Sequence, residues 1–172
     1  MLISKNLAKA LSTQVGNEFG ASLQYVMMAS YFEREALPVL AARFYQQADE
    51  ERVHAMKISH YVNAAGGTLA IPAIPAGKAD FKSVAEAVAL ALKWELTVTK
   101  QINDLVALAI KENDHLTQNF LVWFVNEQLE EVTSMEMLLK TVERAKDDML
   151  RVEEYIARSG GKAPESGLEP GA

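Results

Sequence analysis

The chain has 172 residues, 49% of them hydrophobic, which suits one domain with a sizeable core and disfavours a disordered or fibrous protein. With 17 Lys and Arg against 23 Asp and Glu, the net charge of -6 disfavours a nucleic-acid partner, because phosphate binding needs clustered basic residues. The chain contains no cysteine, so disulfides, zinc ribbons and iron–sulfur clusters are excluded. Any metal must bind through oxygen and imidazole.

No apolar stretch of the sequence predicts a targeting or membrane segment. Residues 1–16 lack the sustained apolar stretch of a signal peptide. The most apolar stretch, residues 83–92, is well short of the ~20 apolar residues that a membrane span requires. We therefore expect a cytoplasmic protein without a membrane partner.

Apolar residues at three- and four-residue steps predict two long amphipathic helices, over residues 4–34 and 38–65. Pro38 suits the first turn of the second helix, and the pair Gly66-Gly67 ends it. Residues 66–80 contain two prolines and three glycines, which predicts an extended connection. At ~3.3 Å per residue this connection reaches roughly 45 Å, enough to run along a whole bundle.

The same periodicity predicts a third helix from Ser83 to about Glu112, a fourth over residues 116–145 and a short fifth over residues 147–158. Two short connections and one long crossover describe an all-α four-helix bundle whose second and third helices are parallel. We expect residues 1–159 to form this domain and residues 160–172, which contain Gly and Pro, to form a flexible tail.

Polar residues interrupt the apolar stripe of each long helix near its middle, and most of them are carboxylates. They are Glu18 on the first helix, Glu51 and His54 on the second, Glu95 on the third, and Gln128 and Glu131 on the fourth. In a helix bundle the midpoints of the long helices lie at the same level along the bundle axis, so these side chains should lie close together. Buried carboxylates without a counter-charge cost several kcal/mol each and protonate, whereas a bound cation removes this cost.

The type of ligand indicates which cation to expect. Four carboxylates and one imidazole form a hard, oxygen-rich set, and carboxylates can be shared between two ions, so iron or manganese in a dinuclear centre fits best. The i, i+3 spacing of Glu51 and His54 places both on one helical face, and Tyr25 returns to the face of Glu18 two turns later. One such residue alone is more often a satisfied core polar group; four together indicate a metal site.

Several segments resemble the ferritin family, and prokaryotic non-haem ferritins in particular. They are Asn17-Glu18 with Tyr25, the EERVH segment at 50–54, Glu95, and the NEQLEE segment at 126–131. The resemblance extends over residues 7–158. It implies that Glu18, Glu51 and His54 bind a first iron, with Glu51 as a bridge, and that Glu95 and Glu131 complete the shell of a second iron.

The resemblance also implies roles for residues around the two irons. Gln128 is expected beside the pair, near dioxygen, and Tyr25 is expected to hydrogen-bond to the site and to be able to supply an electron. A third iron site is expected at three further carboxylates, which are Glu50, Glu127 and Glu130. No haem is expected, because Arg52 stands where haem-binding relatives have a methionine and the fourth helix lacks a second E-x-x-H.

The function that this resemblance implies is iron storage with ferroxidase activity. Fe(II) would be oxidised by dioxygen at the di-iron centre, and ferric mineral would be stored in a hollow homo-oligomeric shell. A fifth helix implies about 24 subunits, because shells of twelve lack it. An unidentified reductant would release the iron.

Two other functions remain open. One is a di-iron oxidase or peroxidase on the same bundle without mineral storage. The other is a scaffolding bundle whose inward carboxylates pair with Lys or Arg, although no inward Lys or Arg is found at matching positions. Glu153 and Glu154 are interpreted as a solvated face, and Tyr31 and Phe32 as candidates for contacts between subunits.

Overall fold

The computed structural model describes residues 2–146 and 148–159, and within these ranges the chain forms five α-helices and no strand. The helices are α1 (Lys5–Arg34), α2 (Pro38–Ala64), α3 (Val84–Lys111), α4 (His115–Ala145) and α5 (Met149–Ser159). This confirms the predicted all-α bundle with a short fifth helix. The predicted tail at 160–172 lies outside the described residues. None of the described helices has the length and apolar character needed to cross a membrane.

Side-chain and backbone hydrogen bonds fix the directions of the long helices. Ser22 donates to the carbonyl of Ala48, and the backbone N–H of Leu2, just before α1, donates to the carbonyl of Ala65, at the end of α2. Helices α1 and α2 are therefore antiparallel. The same opposition relates α1 to α3, because residues 21–32 of α1 share one apolar cluster with residues 87–91 of α3, and residues 7–15 share the other with residues 98–109. Because α2 and α3 both run antiparallel to α1, they are parallel to each other, as the long crossover predicts.

The crossover between α2 and α3 runs along the outside of α1 in the same direction as that helix. The backbone N–H of Ala70 donates to Ser12, and further along the N–H of Lys78 donates to Gln24, 2.8 Å away. Between these points the crossover packs against Gly16, where an added Cβ would lie 3.1 Å from the ring of Pro72. The predicted path along the bundle is therefore confirmed.

The start of α2 is capped by a residue from α5. Leu37, at the N-cap position, makes no side-chain hydrogen bond to the helix. Instead the carboxylate of Glu153 accepts hydrogen bonds from the backbone N–H groups of Val39 and Leu40, at 2.9 and 2.8 Å. The interpretation of Glu153 as a solvated residue was therefore wrong: it is 9% exposed and satisfies N–H groups that a helix start leaves free.

The apolar core is divided into two halves by a polar layer. In α1, for example, Val15 belongs to one apolar cluster and Ala21 to the other, with Glu18 between them. The other three long helices show the same interruption. Tyr31 and Phe32 are buried within the subunit, which makes their assignment to subunit contacts wrong.

Candidate metal centre

The polar layer at the middle of the bundle contains the seven residues that the sequence singles out for iron oxidation. Each is at most 6% exposed, so all are shielded from solvent by the two apolar halves of the core. They are Glu18 and Tyr25 from α1, Glu51 and His54 from α2, Glu95 from α3, and Gln128 and Glu131 from α4.

Three of these side chains meet between α1 and α2. Glu18, Glu51 and His54 each offer a ligand atom, and these atoms all lie within 4.8 Å of one another. The Nδ1 atom of His54 is 3.3 Å from Oε2 of Glu51, in agreement with their i, i+3 spacing. Gln14, one turn before Glu18, donates a hydrogen bond of 2.9 Å to Oε1 of Glu18.

Hydrogen bonds also hold the residues that α3 and α4 bring to the layer. The hydroxyl of Tyr25 donates to Oε1 of Glu95. Gln47 of α2 donates to Oε2 of Glu131 across the bundle, at 2.7 Å. The Oε1 atom of Gln128 accepts a hydrogen bond from Thr99, at 2.8 Å, and the side chain of Gln128 also hydrogen-bonds to Glu95, which lowers the pKa of that carboxyl group.

Three of the buried carboxylates keep one oxygen without any hydrogen-bond partner. These atoms are Oε2 of Glu18, Oε1 of Glu51 and Oε2 of Glu95. A buried, unpaired carboxylate oxygen is costly in a protein interior, where nearly all polar atoms are paired. Each of these carboxylates therefore has one oxygen satisfied by the protein and one available to a ligand.

Burial and mutual repulsion raise the pKa values of all four carboxyl groups. Burial raises the pKa of Glu18 well above its usual value, and the charge of Glu51 raises it further. The pKa of Glu51 is raised by burial and then by Glu95 and Glu131. Burial raises the pKa of Glu95 to about 7 and that of Glu131 to about 8. Without a cation, the cluster therefore holds protons near neutral pH.

The donor set fits one or more hard cations. A divalent ion would supply the counter-charge that the four carboxylates lack and would partner the free oxygens of Glu18, Glu51 and Glu95. Oxygen-rich ligation with a single imidazole suits iron or manganese and differs from the thiolate or multi-histidine sites of zinc.

The carboxylates predicted to form a third iron site lie beside this layer, toward the surface. Glu127 is half-buried, and its Oε1 atom is 4.0 Å from Nε2 of His54. His54, Glu127 and Glu131 form a second group whose ligand atoms lie within 4.8 Å of one another. Glu130 is exposed, and Glu50 accepts a hydrogen bond from Gln46. Neither belongs to a close ligand group among residues 2–146 and 148–159.

Comparison with known proteins places the chain in a family. Residues 8–145 match the family model described as "Ferritin-like domain". The chain belongs to the ferritin family. It is 40% identical to Ferritin BfrB of Mycobacterium tuberculosis over 94% of this chain and 90% of that protein. It is 37% identical to the bacterial non-heme ferritin of Staphylococcus aureus over 86% and 89% of the two chains.

Solved structures agree with this assignment. An open-pore ferritin from the archaeon Archaeoglobus fulgidus superposes with a TM-score of 0.87 at 31% sequence identity, covering 91% of this chain and 97% of the archaeal one. Membership in the ferritin family supports a function in iron storage, and the buried carboxylates and imidazole of this chain supply a plausible place for the metal.

Four residues that contact or flank the polar layer were not predicted to do so. Gln14, Gln47 and Thr99 each donate a hydrogen bond to a side chain of the polar layer. The sequence spacing could have identified the two glutamines, because Gln14 and Gln47 each lie one helical turn before a carboxylate of the layer, Glu18 and Glu51. The fourth is Arg43, which is partly buried and bonds to Ser134 but forms no ion pair with a carboxylate of the layer, so it does not contradict the expectation that no Lys or Arg pairs with them.

Proposed function

We propose that this ferritin oxidises Fe(II) to Fe(III) with dioxygen at a di-iron centre in the polar layer and stores the ferric product as mineral. Iron is both the substrate and the cargo. The ferroxidase reaction would take place at the di-iron centre of each subunit, and about 24 subunits would form the hollow shell. The cytoplasm is the expected location.

One observation carries the proposal: the free oxygens of Glu18, Glu51 and Glu95 lie in a single buried layer. A layer designed only for stability would place apolar residues here, because replacing buried charges by packed hydrophobic side chains is often neutral or stabilising. The carboxylates are instead arranged with one oxygen restrained and the other free. This is the arrangement that binding and then releasing a cation requires.

The geometry supports distinct roles for the ligands. Glu18 and His54 would bind the first iron, and Glu95 and Glu131 the second, with Glu51 between them as the bridge. Hard anionic ligands stabilise Fe(III) more than Fe(II), so the same carboxylates favour oxidation. Each iron gives one electron to dioxygen.

Two further side chains complete the proposed reaction site. Gln128 is held by Thr99 and would lie beside the reacting oxygen, while Tyr25 fixes Glu95 through its hydroxyl. Burial and the charge of Glu95 raise the pKa of Tyr25 well above its usual value, which keeps the hydroxyl protonated as a donor. Tyr25 could also supply one electron to dioxygen, with its hydroxyl proton passing to the reduced oxygen and a neutral tyrosyl radical remaining.

The oxidised iron would leave the layer on the side of the more exposed carboxylates. Glu127 is the first of these, since it lies nearest to His54, and Glu50 and Glu130 would follow as a third iron site on the way to the cavity. We expect no haem, because Arg52 is exposed on α2 and offers no iron ligand. Release of stored iron would need a reductant, which is unidentified.

The test is anaerobic addition of Fe(II) to the purified protein, followed by air, with oxidation recorded by absorbance and retained iron counted after gel filtration. We expect fast oxidation, retention of many more irons than the centre itself can hold, and a particle mass near that of 24 subunits by light scattering. Glu51→Gln should remove the fast phase, whereas Glu136→Gln, which changes a half-exposed glutamate on α4, should preserve it. Retention of only two irons in a small oligomer would refute storage.

That last result would favour the alternative, a di-iron oxidase or peroxidase acting on a small organic substrate. Such an enzyme needs a pocket that presents its substrate to the metals. Two cavities of about 390 and 380 Å³ open on the described surface, but both are lined by residues of α3, α4 and the N-terminal segment, away from the polar layer. Neither of these two cavities leads to the centre.

A further inference from the structure

Arg43 lies next to the polar layer but contacts none of its carboxylates. It is on α2, one turn before Gln47, and therefore on the same face of the helix. Its Nη2 atom donates to the hydroxyl of Ser134 on α4, and its Nε atom is buried without a hydrogen-bond partner. Among the residues that the structure describes, no carboxylate oxygen lies within 4.0 Å of its guanidinium.

The position of Arg43 relative to the second iron site follows from two parallel cross-links between α2 and α4. Gln47 bonds to Glu131, and one turn away Arg43 bonds to Ser134, three residues after Glu131. One helical turn advances about 5.4 Å, so the guanidinium lies roughly that far along the bundle from the Gln47–Glu131 contact. The charge that acts on Arg43 most strongly is that of Glu131, followed by Glu50.

We propose that Arg43 is a fixed positive charge that weakens cation binding at the Glu95–Glu131 end of the centre and so favours departure of the ferric product. Arg43 is not a ligand and acts through its charge alone. This inference rests on the proposed di-iron function. An arginine remains charged at all relevant pH values, so the effect is permanent.

The sign of the effect follows from the charge that each ion adds to the site. A divalent ion adds two positive charges near Arg43, and Fe(III) adds three. The carboxyl groups release only a limited number of protons when the ion binds, so the net positive charge near Arg43 increases. The repulsion therefore grows when Fe(II) becomes Fe(III), and the product is retained less tightly than the carboxylates alone would hold it. A partly buried charge at this range should change affinity by about threefold to tenfold.

Three variants separate the charge from the hydrogen bond. Arg43→Gln removes the charge and keeps an N–H donor for Ser134. Arg43→Lys keeps the charge and serves as the rescue variant. Ser134→Ala removes the hydrogen-bond partner and keeps the charge. A structural role would be disturbed most by Ser134→Ala, whereas an electrostatic role would be disturbed only by Arg43→Gln.

The first readout is calorimetric titration of the assembled, metal-free protein with Co(II) at about pH 8, which needs no oxidation. We expect two binding steps per subunit in the wild type and in all three variants. In Arg43→Gln one step should tighten by about threefold to tenfold while the other changes little, and in Arg43→Lys and Ser134→Ala both should match the wild type. Unchanged or weaker binding in Arg43→Gln, or the same change in Ser134→Ala, would overturn the inference.

The second readout is recovery of fast Fe(II) oxidation after a first round of two irons per subunit has been oxidised. Recovery requires that ferric iron leave the centre, so Arg43→Gln should recover more slowly than the wild type by at least the factor seen for Co(II). Equal recovery would overturn the inference and leave the proposed function intact. If the wild type itself binds no Co(II) at the centre, both are refuted.

Discussion

Glu131→Gln should stabilise the metal-free protein, although it removes a proposed iron ligand. Burial, followed by the charge of Glu95, raises the pKa of Glu131 from 4.5 to about 8. The unfolded chain therefore loses this proton at a lower pH than the folded protein does. The contribution of this carboxyl group to the free energy of unfolding is fully present below about pH 4.5 and is lost progressively as the pH rises toward 8.

The magnitude follows from the difference between the two pKa values. At about pH 7.5 the carboxyl group favours unfolding by roughly 3 to 4 kcal/mol relative to a side chain that does not ionise. The amide oxygen of the substituted side chain can still accept the hydrogen bond from Gln47, so that contact is kept. For a chain of this length, the melting temperature should rise by about 6 to 16 °C.

The assay is thermal denaturation of the metal-free proteins between about pH 4.5 and pH 8. The gain in melting temperature should be near zero at the acidic end and largest at the alkaline end. Glu136→Gln, which changes a half-exposed glutamate on the same helix, should show no such trend. A loss of stability in Glu131→Gln, or a gain that does not vary with pH, would refute the reasoning.

Three further predictions concern the cap on α2 and the protons of the centre. Glu153→Ala should lower stability by about 1 to 2 kcal/mol in denaturation experiments, because two N–H groups of α2 lose their acceptor, while Glu154→Ala should have little effect. Co(II) binding should tighten between about pH 6 and pH 8 and release protons into a weak buffer, because Glu95, whose pKa is about 7, must ionise to bind; pH-independent binding would contradict this. Tyr25→Phe should shift that profile to higher pH, because the hydroxyl of Tyr25 lowers the pKa of Glu95; an unchanged profile would show that this hydrogen bond is unimportant.

The helices and their directions were predictable because each long helix carries a continuous apolar stripe. The interruptions of those stripes also located the polar layer, since a charged residue amid apolar positions is informative wherever it occurs. Gly66-Gly67 and the prolines of the crossover marked the one long connection. These are local signals, and the structure confirms the elements built on them.

The contacts that periodicity did not reveal depend on the ends of long side chains. Arg43 lies at the edge of the stripe on α2, and only the placement of α4 beside α2 brings its guanidinium to Ser134. Glu153 occupies one position of a short helix with charges on both sides, and nothing in its own segment shows that α2 starts beside it. Such residues become identifiable only when two elements are already placed side by side.

The central claim is that two iron ions bind in the polar layer and share Glu51. The most direct measurement is anomalous diffraction at the iron edge from crystals exposed to Fe(II) under anaerobic conditions. We expect two peaks per subunit, one contacting Glu18 and His54 and the other Glu95 and Glu131, with Glu51 in contact with both. A layer without iron, or iron bound only at surface carboxylates, would contradict the account.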